Sequence, residues 1–90
     1  MVRYMVERTF QGGLGLPVSE EGAAAARGIV EANAEHGVTW VHSYVNDDKT
    51  KTFCIYDGPS PEAIRQAAES TGLPVDSITK VSVLDPYFYR

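Results

Sequence analysis

The chain has 90 residues, 43% hydrophobic and 22% charged, which is the size and composition of a single globular domain spanning residues 1–90. Its formal net charge of −4, with eight scattered Lys and Arg residues, argues against nucleic acid and against an anionic membrane surface as partners. No apolar run approaches the roughly 20 residues that span a bilayer, no secretory h-region opens the sequence, and the single cysteine, Cys54, has no partner for an internal disulfide, so a cytoplasmic location is expected.

The first predicted elements are a strand and a helix. Alternating residues predict a strand over Val2–Phe10. Its more apolar set should face the helices and its other set the open side of the sheet: Tyr4, Val6 and Phe10 against Met5, Glu7 and Thr9. A helix should begin near Ser19, a favourable N-cap, and stop at Gly37. Its inward stripe is expected to comprise Ala26, Ile29, Val30 and Asn33.

A β-hairpin follows, and it is the most unusual part of the sequence. Both arms, Val38–Val45 and Lys51–Asp57, alternate at the period of a strand around a polar turn, 46–50. Regular pairing would place His42 opposite Cys54. One face would then carry Trp40, His42 and Tyr44 against Thr52, Cys54 and Tyr56, and the other an ordinary core of Val41, Val45, Phe53 and Ile55.

The second half of the chain completes the pattern. Ser60 and Pro61 are typical of the N-cap and first residue of a helix, which should end at Gly72. Its inward stripe is predicted to be Ile64, Ala67, Ala68 and Thr71. A last strand over Ile78–Leu84 precedes an aromatic tail. The order βαββαβ predicts an α+β, ferredoxin-like sandwich, with both helices on one face of an antiparallel sheet of strand order 4-1-3-2.

Such a fold leaves one face of the sheet uncovered. The aromatic residues expected there would form a large exposed patch, and such patches usually mark interfaces. A twofold homodimer that packs through this open face is therefore predicted.

A divalent metal is one candidate ligand of that face. Imidazole, thiolate and carboxylate from three adjacent strands, His42, Cys54 and Glu7, would suit nickel, copper or zinc better than magnesium or calcium. His36, beside Glu35 at the end of the first helix, is a further candidate ligand at the surface. This interpretation makes the chain a metal-binding protein without turnover.

Two other functions remain open. In a small dimeric α/β-barrel enzyme, similar to cofactor-free monooxygenases or isomerases, Trp40, Tyr44 and Tyr56 would wall a ligand pocket and His42 would act as general base. In an interaction module, the aromatic surface would serve assembly alone.

Four segments of the sequence resemble a family of short bacterial proteins of uncharacterised domain type, labelled nickel-binding or nickel-responsive. The similar segments are Val6–Phe10, Val38–Val45, Lys51–Arg65 and Val83–Tyr89, so the resemblance extends over nearly the whole chain. It implies a ferredoxin-like dimer that binds nickel, in sequestration or sensing. The resemblance transfers no catalytic residue.

Overall fold

The fold consists of four strands and two helices in the order βαββαβ. A computed structural model describes residues 2–13 and 20–87, without the side chains of residues 20, 21, 23 and 32. The elements are β1 (Val2–Thr9), α1 (Glu20–Glu35), β2 (Thr39–Val45), β3 (Lys51–Gly58), α2 (Pro61–Thr71) and β4 (Ser77–Val81). The prediction of an α+β chain with an open antiparallel sheet and two helices is confirmed, and the arrangement is consistent with a ferredoxin-like fold.

The strands are ordered β2-β3-β1-β4, so β3 and β1 occupy the centre of the sheet. In the central pair Val6 lies opposite Cys54 and Tyr4 opposite Tyr56. Because partners in an antiparallel pair project from the same face, these four side chains share one face. That face contacts the helices, and we call it the helix face; the other is the open face.

The core lies between the helix face and α2. Val6 and Ile64 are its largest fully buried side chains. Tyr4, Cys54 and Tyr56 join them in the same buried cluster. The predicted orientation of β1 is therefore confirmed, whereas that of β3 is wrong: the core side chains of β3 are Cys54 and Tyr56, and Phe53 and Ile55 lie on the open face.

Helix α2 begins and ends where the sequence predicts. The hydroxyl oxygen of Ser60 accepts from the backbone N–H of Ala63 at 3.2 Å, and Pro61 fills the first turn, where no backbone donor is needed. Gly72 ends the helix with a left-handed φ of 71°, which glycine adopts without steric cost. The buried stripe of α2 is Ala63, Ile64, Ala67 and Ala68.

Helix α1 packs less completely. Asn33 is buried, Ala26 and Ile29 are half-buried, but Val30, predicted to point inward, is 48% exposed. Its predicted N-cap, Ser19, lies outside the described residues.

Strand β4 ends at Val81, three residues before the predicted boundary. Neither α1 nor α2 has the length and apolarity that a membrane span requires.

Candidate binding sites on the two faces of the sheet

A β-bulge in β2 decides which side chains share a face. Trp40 pairs with Tyr56, as regular pairing predicts, but the register then shifts, so that His42 pairs with Ile55 instead of Cys54. His42 therefore projects from the open face, and Cys54 from the helix face. The predicted juxtaposition of His42 and Cys54 is wrong. One extra residue in β2 shifts the pairing of the residues after it by one position, and a shift of one residue moves each side chain to the opposite face of the sheet.

His42 stands exposed on the open face. Its ring meets that of Tyr44 edge to face, with centroids 5.1 Å apart and an interplanar angle of 84°. No described residue forms a hydrogen bond to either of its ring nitrogens. An imidazole in this state can bind a metal ion without giving up a hydrogen bond to a described residue.

Glu7 and His36, two further predicted metal ligands, are bonded to other side chains. Glu7 lies on the open face of β1, and its carboxylate accepts from the hydroxyl of Ser77 at 2.8 Å and lies 3.9 Å from Nζ of Lys51. Nε2 of His36 forms a 2.8 Å hydrogen bond with Oγ of Ser70. Within the described ranges, no three His, Cys, Asp or Glu side chains come close enough to hold one ion.

Nickel would therefore not find its full donor set within one described chain. His42 offers an imidazole nitrogen, a ligand that nickel favours, but Cys54 is 6% exposed and lies on the helix face, on the other side of the sheet. The predicted three-residue site of His42, Cys54 and Glu7 is not assembled. The role of each of these residues as a metal ligand stays a prediction.

On the other side of the sheet, a cavity of about 340 Å³ separates the helix face from α1. Its apolar wall comprises Phe10, Ala25, Ile29, Trp40 and Leu73. Its polar wall comprises Arg8, Ser43, Thr52, Cys54 and Tyr56. Two of the three predicted pocket residues, Trp40 and Tyr56, thus line a cavity, though not the one expected.

The predicted enzyme arrangement is not formed within the described chain. Tyr44 is 63% exposed on the open face, where it contacts His42, so neither residue reaches Trp40 and Tyr56. The bulge is again the cause, since it separates Trp40 from His42. A general base at His42 cannot serve a pocket on the opposite side of the sheet.

Arg8, which is 3% exposed and lines the cavity, is absent from the residues predicted from the sequence. Its Nη1 donates to the carbonyl oxygen of Pro74 at 2.8 Å and its Nη2 to the hydroxyl of Tyr56 at 3.1 Å. Its Nε has no hydrogen-bond partner among the described residues. Arg8 shares the alternation of Tyr4 and Val6, so the same pattern that placed those residues inward could have found it.

The buried surroundings of Tyr56 change the pKa of its phenol. Burial raises the pKa of its phenol, and the neighbouring Arg8 opposes that shift in part. The guanidinium carbon of Arg8 lies 5.8 Å from the centroid of the Tyr56 ring, within the range of a cation–π contact. The phenol therefore stays protonated at neutral pH and offers its oxygen as an acceptor to Arg8.

Comparison with known proteins supports both the fold and a family. The chain is similar to a solved structure titled as the crystal structure of SCO4226 from Streptomyces coelicolor A3(2). The two share 18% sequence identity at a TM-score of 0.72, over 92% of this chain and 99% of that one, which is a likeness of fold. No match is found among curated protein sequences.

The fold therefore defines a small α+β protein with an open antiparallel sheet. The family model described as "Nickel responsive protein SCO4226-like" matches residues 4–81. The chain belongs to this SCO4226-like family, and the predicted family resemblance is confirmed.

Proposed function

We propose that this protein binds Ni²⁺ at the open face of its sheet and serves in nickel sequestration or sensing. The family description supports nickel as the metal. The observation that carries the site is the exposed imidazole of His42, whose ring nitrogens have no hydrogen-bond partner among the described residues. Imidazole nitrogen is a ligand that nickel favours.

A second copy of the chain would complete the site. The open face carries half-buried Met5, Phe53 and Ile55 beside exposed Tyr44, an apolar surface of the kind that marks interfaces. In a twofold dimer packed through these faces, each His42 would meet side chains of the other copy. A second His42, or a Glu7 released from Ser77, would then supply further donors to the ion.

Nickel titration by calorimetry tests this proposal on three proteins. The wild type should bind Ni²⁺, and His42→Ala should lose at least about tenfold in affinity, because one metal–imidazole bond is removed. His36→Ala is the matched control, since it removes the other histidine, and it should bind as the wild type does. Equal binding by wild type and His42→Ala would overturn the site, and no binding by wild type would overturn the function.

The oligomeric state gives an independent readout. Tyr44→Lys places a charge on the open face and should shift the protein towards monomer in analytical ultracentrifugation, with a parallel loss of nickel binding. A monomeric variant that binds nickel as tightly as the wild type would contradict a site shared between copies.

We also propose the cytoplasm as the location of the protein, supported by the lone, buried Cys54.

A further inference from the structure

We infer that the cavity between α1 and the helix face is a second binding site, which takes a small carboxylic acid with an apolar body. This site lies across the sheet from His42 and goes beyond the proposed nickel function. The guanidinium of Arg8 would bind the carboxylate, and the aromatic and aliphatic wall would hold the rest of the ligand.

Arg8 carries a positive charge that no described side chain neutralises. It is only 3% exposed as a residue, yet no described carboxylate contacts its guanidinium. Its two hydrogen-bond acceptors, Pro74 and Tyr56, are both neutral. A buried cation without an opposite charge is costly, and an anion in the adjoining cavity would offset that cost.

The guanidinium of Arg8 also has more N–H donors than the described residues use. A guanidinium has five N–H groups in a planar fork, which matches the two oxygens of a carboxylate. Within the described part of the chain, Nη1 and Nη2 each donate one hydrogen bond and Nε donates none. Three N–H groups thus have no partner among the described residues, while the bonds to Pro74 and Tyr56 fix the orientation of the group.

The walls of the cavity are mostly apolar, with a few polar groups. Phe10, Ile29, Trp40 and Leu73 surround the cavity with apolar surface. A volume of about 340 Å³ has room for roughly ten water-sized groups, which is the size of an acid with one ring. Ligand sites typically combine such a wall with a few convergent polar groups, here Arg8, Thr52 and Ser43.

Phenylacetate, its neutral analogue phenylacetamide and inorganic phosphate form a set of probes. Trp40 is the only tryptophan and lines the cavity, so its fluorescence and its indole N–H resonance report occupancy directly. The experiment uses the full chain with EDTA present, which separates its outcome from nickel binding. Phenylacetate should bind at least tenfold more tightly than either other probe.

Two variants locate the site. Arg8→Met retains an unbranched side chain but removes the guanidinium, and it should weaken phenylacetate binding about 10- to 100-fold, because the charged hydrogen bonds are lost. Arg65→Met is the matched control on the exposed side of α2 and should bind as the wild type does. If Arg8→Met does not fold, Ala25→Phe decides instead, since its added ring would fill the cavity and abolish binding.

Three results would overturn the inference. The first is equal affinity for phenylacetate and phenylacetamide. The second is undiminished phenylacetate binding by Arg8→Met or, if that variant does not fold, by Ala25→Phe. The third is phosphate binding as tight as that of phenylacetate. The last would mean that the apolar wall contributes nothing and that the cavity is not a site for this class of acid.

Discussion

The indole nitrogen of Trp40 donates a hydrogen bond to the hydroxyl oxygen of Ser43 at 2.9 Å and so joins the two sides of the bulge in β2. Both residues line the cavity, whereas His42, which lies between them in sequence, projects from the opposite face. This bond therefore fixes the geometry that separates the two candidate sites.

Ser43→Ala should lower the free energy of unfolding by about 1 kcal/mol, because the half-buried indole N–H loses its partner. Urea denaturation measures this loss, and a shifted indole resonance of Trp40 should accompany it. Ser82→Ala, at an exposed position with no side-chain hydrogen bond among the described residues, should change stability by less than about 0.5 kcal/mol. A stability loss of equal size in both variants would contradict a role for the bond.

Gly58→Ala should destabilise the protein by about 1–3 kcal/mol through overpacking. A Cβ at this position would lie 3.0 Å from Cδ1 of Ile64 and 3.4 Å from Cγ2 of Val38, and Ile64 is only 1% exposed. Ile64→Val removes the closer methyl group, so the double variant should be more stable than the sum of the two single losses implies. Strict additivity in thermal or urea unfolding would show that the close approach is relieved elsewhere.

Lys49→Gly should raise the free energy of unfolding by about 0.5–1 kcal/mol. Lys49 has a φ of 60° in the β2–β3 turn, a left-handed conformation that is strained for a side chain with a Cβ and free for glycine. Asp47→Gly, two residues earlier and without a positive φ, should instead lose stability through the greater entropy of the unfolded chain. A gain of equal size in both variants would show that the positive φ of Lys49 is not the cause.

Asp57 should contribute to the acid sensitivity of folding. The bidentate hydrogen bonds from Arg3, at 2.9 and 3.1 Å, hold the pKa of its carboxyl below the ordinary value. A lowered folded-state pKa stabilises the fold above the unfolded value of about 3.9, and this contribution disappears as the pH falls through the folded value. The effect is small, because both side chains are about a third exposed.

Asp57→Asn should therefore be less stable than the wild type at pH 6, and the difference should narrow steadily below pH 4. Denaturation at a series of pH values measures it. Part of the acid sensitivity should survive in the variant, since the hydroxyl of Thr50 also lowers the pKa of Asp48. A gap that stays constant with pH would show that Arg3 does not act through the charge of Asp57.

The sequence predicts α2 well because its signals are local. Ser60, Pro61 and Gly72 each act through their own backbone or side chain, and no tertiary contact is needed to recognise them. The orientation of β1 is similarly readable, since one alternating set holds the large apolar residues Tyr4 and Val6, and the other set includes the charged Glu7.

The orientation of β3 is not readable in this way. Phe53 and Ile55 are as apolar as Cys54 and Tyr56, so alternation alone cannot tell which set faces the helices. The hairpin register was the remaining guide, and the bulge after Trp40, which no sequence signal announces, shifts that register. Arg8 was missed for another physical reason: a charged residue is rarely buried without an ionic partner.

The burial of Cys54 gives the chain a built-in reporter. Its thiol is the only one in the protein, is 6% exposed and lines the cavity beneath α1. Because the sulfur lines the cavity, an alkylating reagent reaches it through that space, and the rate of labelling reports how accessible the cavity is. A ligand bound beneath α1 would slow the reaction, so the native cysteine would report ligand binding without an added dye.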